Sequence, residues 1–332
     1  MTDRGFIPGK PEVLGLFGIY DPQGDFGISL RRIEQKPQQT GAEAVRASLK
    51  NAGRPGESPQ FIWINSTPGY EEDILTGIES VLGPNIPVLG GSAADNNIAG
   101  NWSVLANGTN SRQAVVVSSI FSSAETAFSL HSGHSPTSCI GVATKTKGRI
   151  LQEIDGHPAA TVYNEWTDGC IKPILPQGGN VLALTNSYPL ARFKQNLGKV
   201  PLYVLSHPGK VFSDHSISLF TDMQNNDNII LMSGNRKSLV NRPSQVLESI
   251  LTNHDYQADQ IQGALIVFCA GSMLAIRDSL ESVQDKIKSL LGEIPFLTIF
   301  TFGEQGCLTP GSNYHGNLMV SAILFTNLES AL

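Results

Sequence analysis

The chain has 332 residues and is 40% hydrophobic, enough for two lobes around a sizeable core. Its 23 basic and 29 acidic side chains leave a net charge of −6, which speaks against nucleic acid and anionic membranes as partners. No run approaches a membrane-spanning length, and Met1-Thr2-Asp3-Arg4-Gly5-Phe6 opens nothing like a signal peptide. The cysteines, Cys139, Cys170, Cys269 and Cys307, are widely spaced with no CxxC pair, so a reducing cytoplasm is expected.

Val13-Leu14-Gly15-Leu16-Phe17-Gly18 reads as a possible strand, and Phe26 to Ile33 alternates enough for another. Thr40-Gly41-Ala42-Glu43 has the form of a capping box, opening a helix with Ala42, Val45, Leu49 and Ala52 on one face. Phe61-Ile62-Trp63-Ile64 is a buried strand. Thr67-Pro68 then predicts a helix start, with Ile74, Leu75, Ile78, Val81 and Leu82 as its stripe and Gly83-Pro84 as its end. Beyond Gly90-Gly91 the chain turns β-rich, with strands expected at 102–105, 114–121, 126–130, 139–144 and 149–154. Pro158 opens a short helix. Val181 to Thr185, Tyr203 to Leu205, Ile229 to Met232 and Ala264 to Phe268 read as strands, and Ser238 to Leu251 and Leu274 to Leu291 as helices.

Two stretches echo each other. Leu82-Gly83, Ile86-Pro87, a strand and Gly90-Gly91 correspond to Leu291-Gly292, Ile294-Pro295, a strand and Gly303. The expected fold class is therefore mixed α/β (α+β). It consists of two lobes related by approximate internal duplication, residues 1–147 and 148–332, with mixed sheets flanked by helices. The two glycine segments would face one cleft.

The chemistry concentrates between the apolar runs Pro295 to Phe300 and Leu318 to Phe325. Phe302, Gly303, Glu304, Gln305, Gly306, Cys307, Ser312, Asn313, His315 and Asn317 fall in a predicted glycine-rich loop whose polar groups can converge on a ligand. Gly90, Gly91, Ser92, Ala93 and Asp95 form the matching loop. Backbone amides of Gly91 and Ser92 would meet a carboxylate, and Glu304 an ammonium. No Walker lysine and no third dinucleotide-type glycine accompany them. His131 and His134 offer only a weak metal signal and read as surface histidines; His157, after an Asp-Gly turn, reads as exposed.

Pro87-Val88-Leu89-Gly90-Gly91-Ser92-Ala93, Ile154-Asp155-Gly156-His157-Pro158-Ala159, Gly303-Glu304-Gln305-Gly306-Cys307 and His315-Gly316-Asn317 together resemble the FIST family, named for F-box and intracellular signal transduction proteins. The resemblance spans nearly the whole chain. It implies a non-enzymatic sensory module in the cytoplasm, binding a small carboxylate or amino acid between the lobes. A downstream signalling protein is the implied partner, and no cofactor is required. Three alternatives stand beside it. The first is a haem-based gas sensor with His315 as axial ligand; haem-binding members carry a His-Asn pair where this chain inserts Gly316. The second is an interaction adaptor of ubiquitin-ligase type whose F-box is missing from this chain. The third is a thiol enzyme using Cys307 and His315. Ser272 follows Cys269-Ala270-Gly271 where the family often has Arg.

Overall fold

The computed structural model describes residues 1–2, 14–95, 98–197, 200–309 and 311–329. Its fold is mixed α and β, built from one unit used twice. In the first copy the strand order is Asp25–Arg32, Ala114–Phe121, Phe61–Ser66, Val88–Ser92, with the last two parallel and the others antiparallel. In the second copy the order Ala124–Ser132, Met319–Glu329, Ile261–Cys269, Phe296–Thr301 repeats that pattern, again with only the last pair parallel. Helices α1 (Pro37–Asn51) and α2 (Glu71–Leu82) serve the first copy. The second is served by α5 (Arg236–His254) and α7 (Leu280–Leu291); α3 (Ala159–Trp166) and α4 (Leu182–Thr185) precede α5 in the chain, and α6 (Ala270–Ala275) lies between α5 and α7.

Period-two alternation decides the layering. Ile62 and Ile64 turn toward α1 and α2, joining Val45, Leu49, Ile74 and Ile78. Their neighbours Phe61 and Trp63 turn the other way and meet Ile323, Phe325 and Leu265 of the second sheet. Ala264, Ile266 and Phe268 then pack on α5 and α7 through Val246, Leu247, Ile250, Val283 and Ile287. The result is a four-layer helix–sheet–sheet–helix stack. Each fully buried Ile or Phe contributes about 1.5–3 kcal/mol of transfer free energy.

Two insertions complete the molecule. A nine-stranded antiparallel sheet, spanning residues 135–233, interrupts the second copy between its first strand and α5. The hairpin Glu304–Cys307 and Asn313–Gly316 leaves the second copy and extends the first sheet, where Glu304 and Gln305 pair with Gly91 and Gly90. The expected seam at 147/148 falls inside the inserted sheet, in the turn between Ser135–Lys147 and Ile150–Ile154.

Several local expectations are corrected. Helix α1 starts at Pro37, not Thr40, because proline suits the first helical turn; the Thr40 hydroxyl donates back to the Lys36 carbonyl. Helix α2 starts at Glu71, and Thr67 instead pairs with the Ala114 backbone. Residues 182–185 are the short helix α4 rather than a strand, and the predicted helix from Leu274 breaks into α6, a 3₁₀ turn and α7. Of the predicted strand near Val13, residues 14–18 form none, and Val13 lies outside the described residues. Among the described residues, no helix is long and apolar enough to cross a membrane.

Candidate functional site

The two glycine segments do come together, but as hydrogen-bonded strands rather than loops around a cleft. Ser92 N donates to the Gly303 carbonyl, and Phe302 N donates to the Ser92 carbonyl. Their amides therefore close a sheet and are not available to an anion. Gly90 is required by the approach of the neighbouring strand Phe61–Ser66: its φ is 144°, and a Cβ there would stand 1.9 Å from the Ile64 carbonyl oxygen.

A buried charge cluster joins the inserted sheet to this seam. Glu71 and Glu72, on the first turn of α2, both accept hydrogen bonds from the Arg149 guanidinium, at 2.7 Å for Glu71. Arg149 Nε also donates to Asp222 at 3.1 Å. Glu71 accepts further from Ser92 Oγ at 2.7 Å and from Gly69 N, and Glu72 from Asp222 N. His315 Nδ1 lies 3.0 Å from Glu72 Oε1. Burial disfavours all these charges, yet His315 and Arg149 outweigh it and hold both carboxyls below their ordinary value. Burial likewise opposes a charged His315, but Glu72 and Glu71 overcome it and raise its pKa. Ligand atoms of Glu71, Glu72 and His315 lie within 4.8 Å of one another, a spacing a metal ion could use. Arg149 already supplies the positive charge for these carboxylates, which makes the group an ion-pair network.

Beyond the carboxyl ends of the parallel strands Ile261–Cys269 and Phe296–Thr301 lies a cavity of about 470 Å³. Open α/β sheets place ligands at this end. Cys269 and Phe302 come from the strand ends, Gly271 from α6, Ile98 from the loop after Val88–Ser92, and His207 and Phe220 from the inserted sheet. His207 is buried, its Nε2 donates to the Leu182 carbonyl (3.2 Å), and burial drives its pKa down to about 3, so it stays neutral.

Of the residues expected to bind a ligand, only Phe302 and Asn317 line this cavity. Asn317 is anchored by His207 N and the Phe302 carbonyl. Asn313 fastens the approach to Val88–Ser92 through Val88 N, Ile86 O and Glu79. Asp95 organises its own loop by accepting from the amides of Ile98, Ala99 and Asn101. Ala93 N donates to Ser66 O. Gln305 Nε2 donates to Ser92 Oγ at 3.2 Å, and Ser312 accepts from Gln195. Gly306 lies against Leu130.

Glu304 is fully buried, accepts from Thr301 Oγ1 and Met319 N, and burial pushes its pKa up to about 8, leaving it protonated at neutral pH. Cys307 and His315 do not form a nucleophile–base pair. The thiol is directed at the Thr309 carbonyl and burial raises its pKa, while His315 Nδ1 is committed to Glu72. The geometry does not favour His315 as a haem ligand: it is 3% exposed, and its Nε2 packs close against the Gly303 backbone, where an added Cβ would stand 2.2 Å from it. His134 is not a surface residue: it is buried, bonds to Asn186 O at 2.8 Å, and burial lowers its pKa to about 4. His157 is exposed as expected.

Missed by sequence reasoning are Asn180, Asn186, His207 and Phe220 of the cavity and the whole of the Glu71–Glu72–Arg149–Asp222 cluster. Only Cys269-Ala270-Gly271, a strand end followed by glycine, carried a readable signal.

The FIST N domain model matches residues 19–157 and the FIST C domain model residues 159–307. The chain therefore belongs to the FIST family, whose domains are sensory domains of signal transduction. Among curated proteins, none matches the chain.

Proposed function

We propose that this protein is a non-catalytic, cytoplasmic sensory module that binds a small molecule in the cavity between the strand ends and the inserted sheet, and passes the signal to a protein partner. The carrying observation is the cavity itself. Its volume of about 470 Å³ falls within the range of small-molecule sites, and its wall is drawn from both copies of the duplicated unit and from the insertion. A ligand there touches three parts of the fold at once, which is what converting occupancy into a change of shape requires. The Arg149 cluster ties the same inserted sheet to α2 and gives it a second contact that such a change would load.

A carboxylate or amino acid held between Gly91 and Glu304 has less support, because the Ser92 amide is already bonded and Glu304 is neutral. The haem and thiol-enzyme readings have less support for the reasons of His315 packing and Cys307 burial given above.

The test is a thermal-shift screen of amino acids, small acids and neutral ring compounds, run on the native chain and on Ala275→Trp, which fills the cavity mouth. A ligand at about one hundred times its Kd adds roughly 2.7 kcal/mol by mass action. The expected result is at least one stabilising compound whose effect disappears in Ala275→Trp. Stabilisation that persists in the variant would move the site elsewhere, and no stabilisation by any compound would favour a protein-interaction adaptor.

A further inference from the structure

Resting on the reading of this cavity as the ligand site, we infer that its ligand is uncharged and largely apolar, with a ring system and a single hydrogen-bond donor directed at Asn186. Among the described residues, no lysine, arginine, aspartate or glutamate lines the cavity. Its one titratable imidazole, His207, is held neutral by burial, and the neighbouring His134 is held neutral in the same way. An ionic ligand would leave water without meeting a counter-charge, which strongly disfavours amino acids and carboxylates here.

The polar atoms of the wall narrow the choice further, because most are already engaged within the protein. Asn317 bonds to His207 N and Phe302 O, Asn180 Oδ1 accepts from Leu182 N, and His207 Nε2 is bonded to Leu182 O. Among the buried side-chain polar atoms of the described wall residues, Asn186 Oδ1 alone has no partner. It lies 3.4 Å from the point where a Cβ on Gly271 would stand, beside Leu318 and His207, so the glycine lets these side chains close on the backbone of α6 at the cavity wall. The His134 ring holds the Asn186 backbone at 2.8 Å and so fixes the position of the amide. A buried acceptor without a donor is unfavourable, and a ligand N–H or O–H relieves it. The remaining wall is apolar: Phe220 and Phe302 contribute aromatic rings, and Ile98 and Leu274 stand 47% and 55% exposed.

Three probes with a shared ring skeleton test this. Phenylnaphthylamine is uncharged and has one N–H. Phenoxynaphthalene replaces the N–H by an ether oxygen. Anilinonaphthalenesulfonate adds an anionic group. Fluorescence titration of the native chain is expected to give one saturable phenylnaphthylamine site, with the sulfonate at least about tenfold weaker. Ala275→Trp is expected to abolish the site. Asn186→Leu is expected to weaken phenylnaphthylamine about fivefold and to leave displacement by phenoxynaphthalene unchanged. Equal or tighter binding of the sulfonate on the native chain would overturn the ligand class, whether or not either variant folds. An amino acid whose stabilising effect is lost in Ala275→Trp would also overturn the class while leaving the cavity reading intact. If phenylnaphthylamine binding and every thermal shift are indifferent to Ala275→Trp, both readings fall.

Discussion

Arg149→Met removes the guanidinium that bridges Glu71 and Glu72 while keeping most of the side-chain volume. Glu71 is only 2% exposed, and it would retain hydrogen bonds from Ser92 Oγ and Gly69 N but lose the Arg149 charge, leaving His315 to face two carboxylates. Removing one partner of a buried pair costs about 3–5 kcal/mol. Arg149 keeps 20% exposure and its Asp222 arm is 47% exposed, so the lower end, about 3 kcal/mol, is expected. Urea unfolding followed by tryptophan fluorescence should show the midpoint falling by roughly 1 M. The loss has a defined pH dependence. Glu71 and Glu72 have folded pKa values below the ordinary 4.5, so their contribution is present above about that pH and disappears as pH falls through their folded values. The gap between the native chain and Arg149→Met should therefore narrow under acid conditions. Adding Glu71→Gln to Arg149→Met should recover about 1–2 kcal/mol at neutral pH. A loss below about 1 kcal/mol, or no recovery in the double variant, would refute the view that this cluster holds the inserted sheet to α2.

Glu304 has the opposite sign: its folded pKa, about 8, exceeds the ordinary 4.5, so the folded state holds an extra proton between those values and stability declines with rising pH across that window. Glu304→Gln should flatten that decline, whose full span is on the order of 5 kcal/mol, in a series of urea titrations from pH 5 to pH 8. Gly90→Ala should cost about 3 kcal/mol in the same assay, because φ 144° and the Ile64 carbonyl oxygen both exclude a Cβ. The Cys307 thiol should react slowly with a small alkylating agent and show its half-maximal rate above pH 9, with His315→Ala leaving that profile unmoved.

The duplicated unit was legible because both copies carry the same local grammar. Leu82-Gly83 and Leu291-Gly292 end helices, and both glycines adopt positive φ at the C-cap before a strand that pairs in parallel. Buried strands such as Phe61–Ser66 and Ile261–Cys269 announced themselves by β-branched and aromatic runs. The insertion hid the boundary between the copies, since strand Ala124–Ser132 is separated from its own helix α5 by the whole nine-stranded sheet. The region between Phe302 and Asn317 looked like a loop because its glycines and polar residues mimic turn chemistry. Gly303 is there to admit the His315 ring, and Gly306 to admit Leu130. The charge cluster was invisible for another reason: Glu71, Arg149, Asp222 and His315 come from four segments far apart in the chain, and nothing local to any of them signals the others. Asn186 and His207 reach the cavity from a stretch whose periodicity was weak, which is why the polar part of the site could not be read from the chain.

The most direct measurement is hydrogen–deuterium exchange with and without a saturating amount of the compound that gives the largest thermal shift. The account predicts slowed exchange in α4 and the following turn, in α6, and around Phe302, the segments that enclose the cavity. Protection confined to the hairpin Glu304–Cys307 and Asn313–Gly316 and to Val88–Ser92, with the cavity segments unchanged, would contradict it.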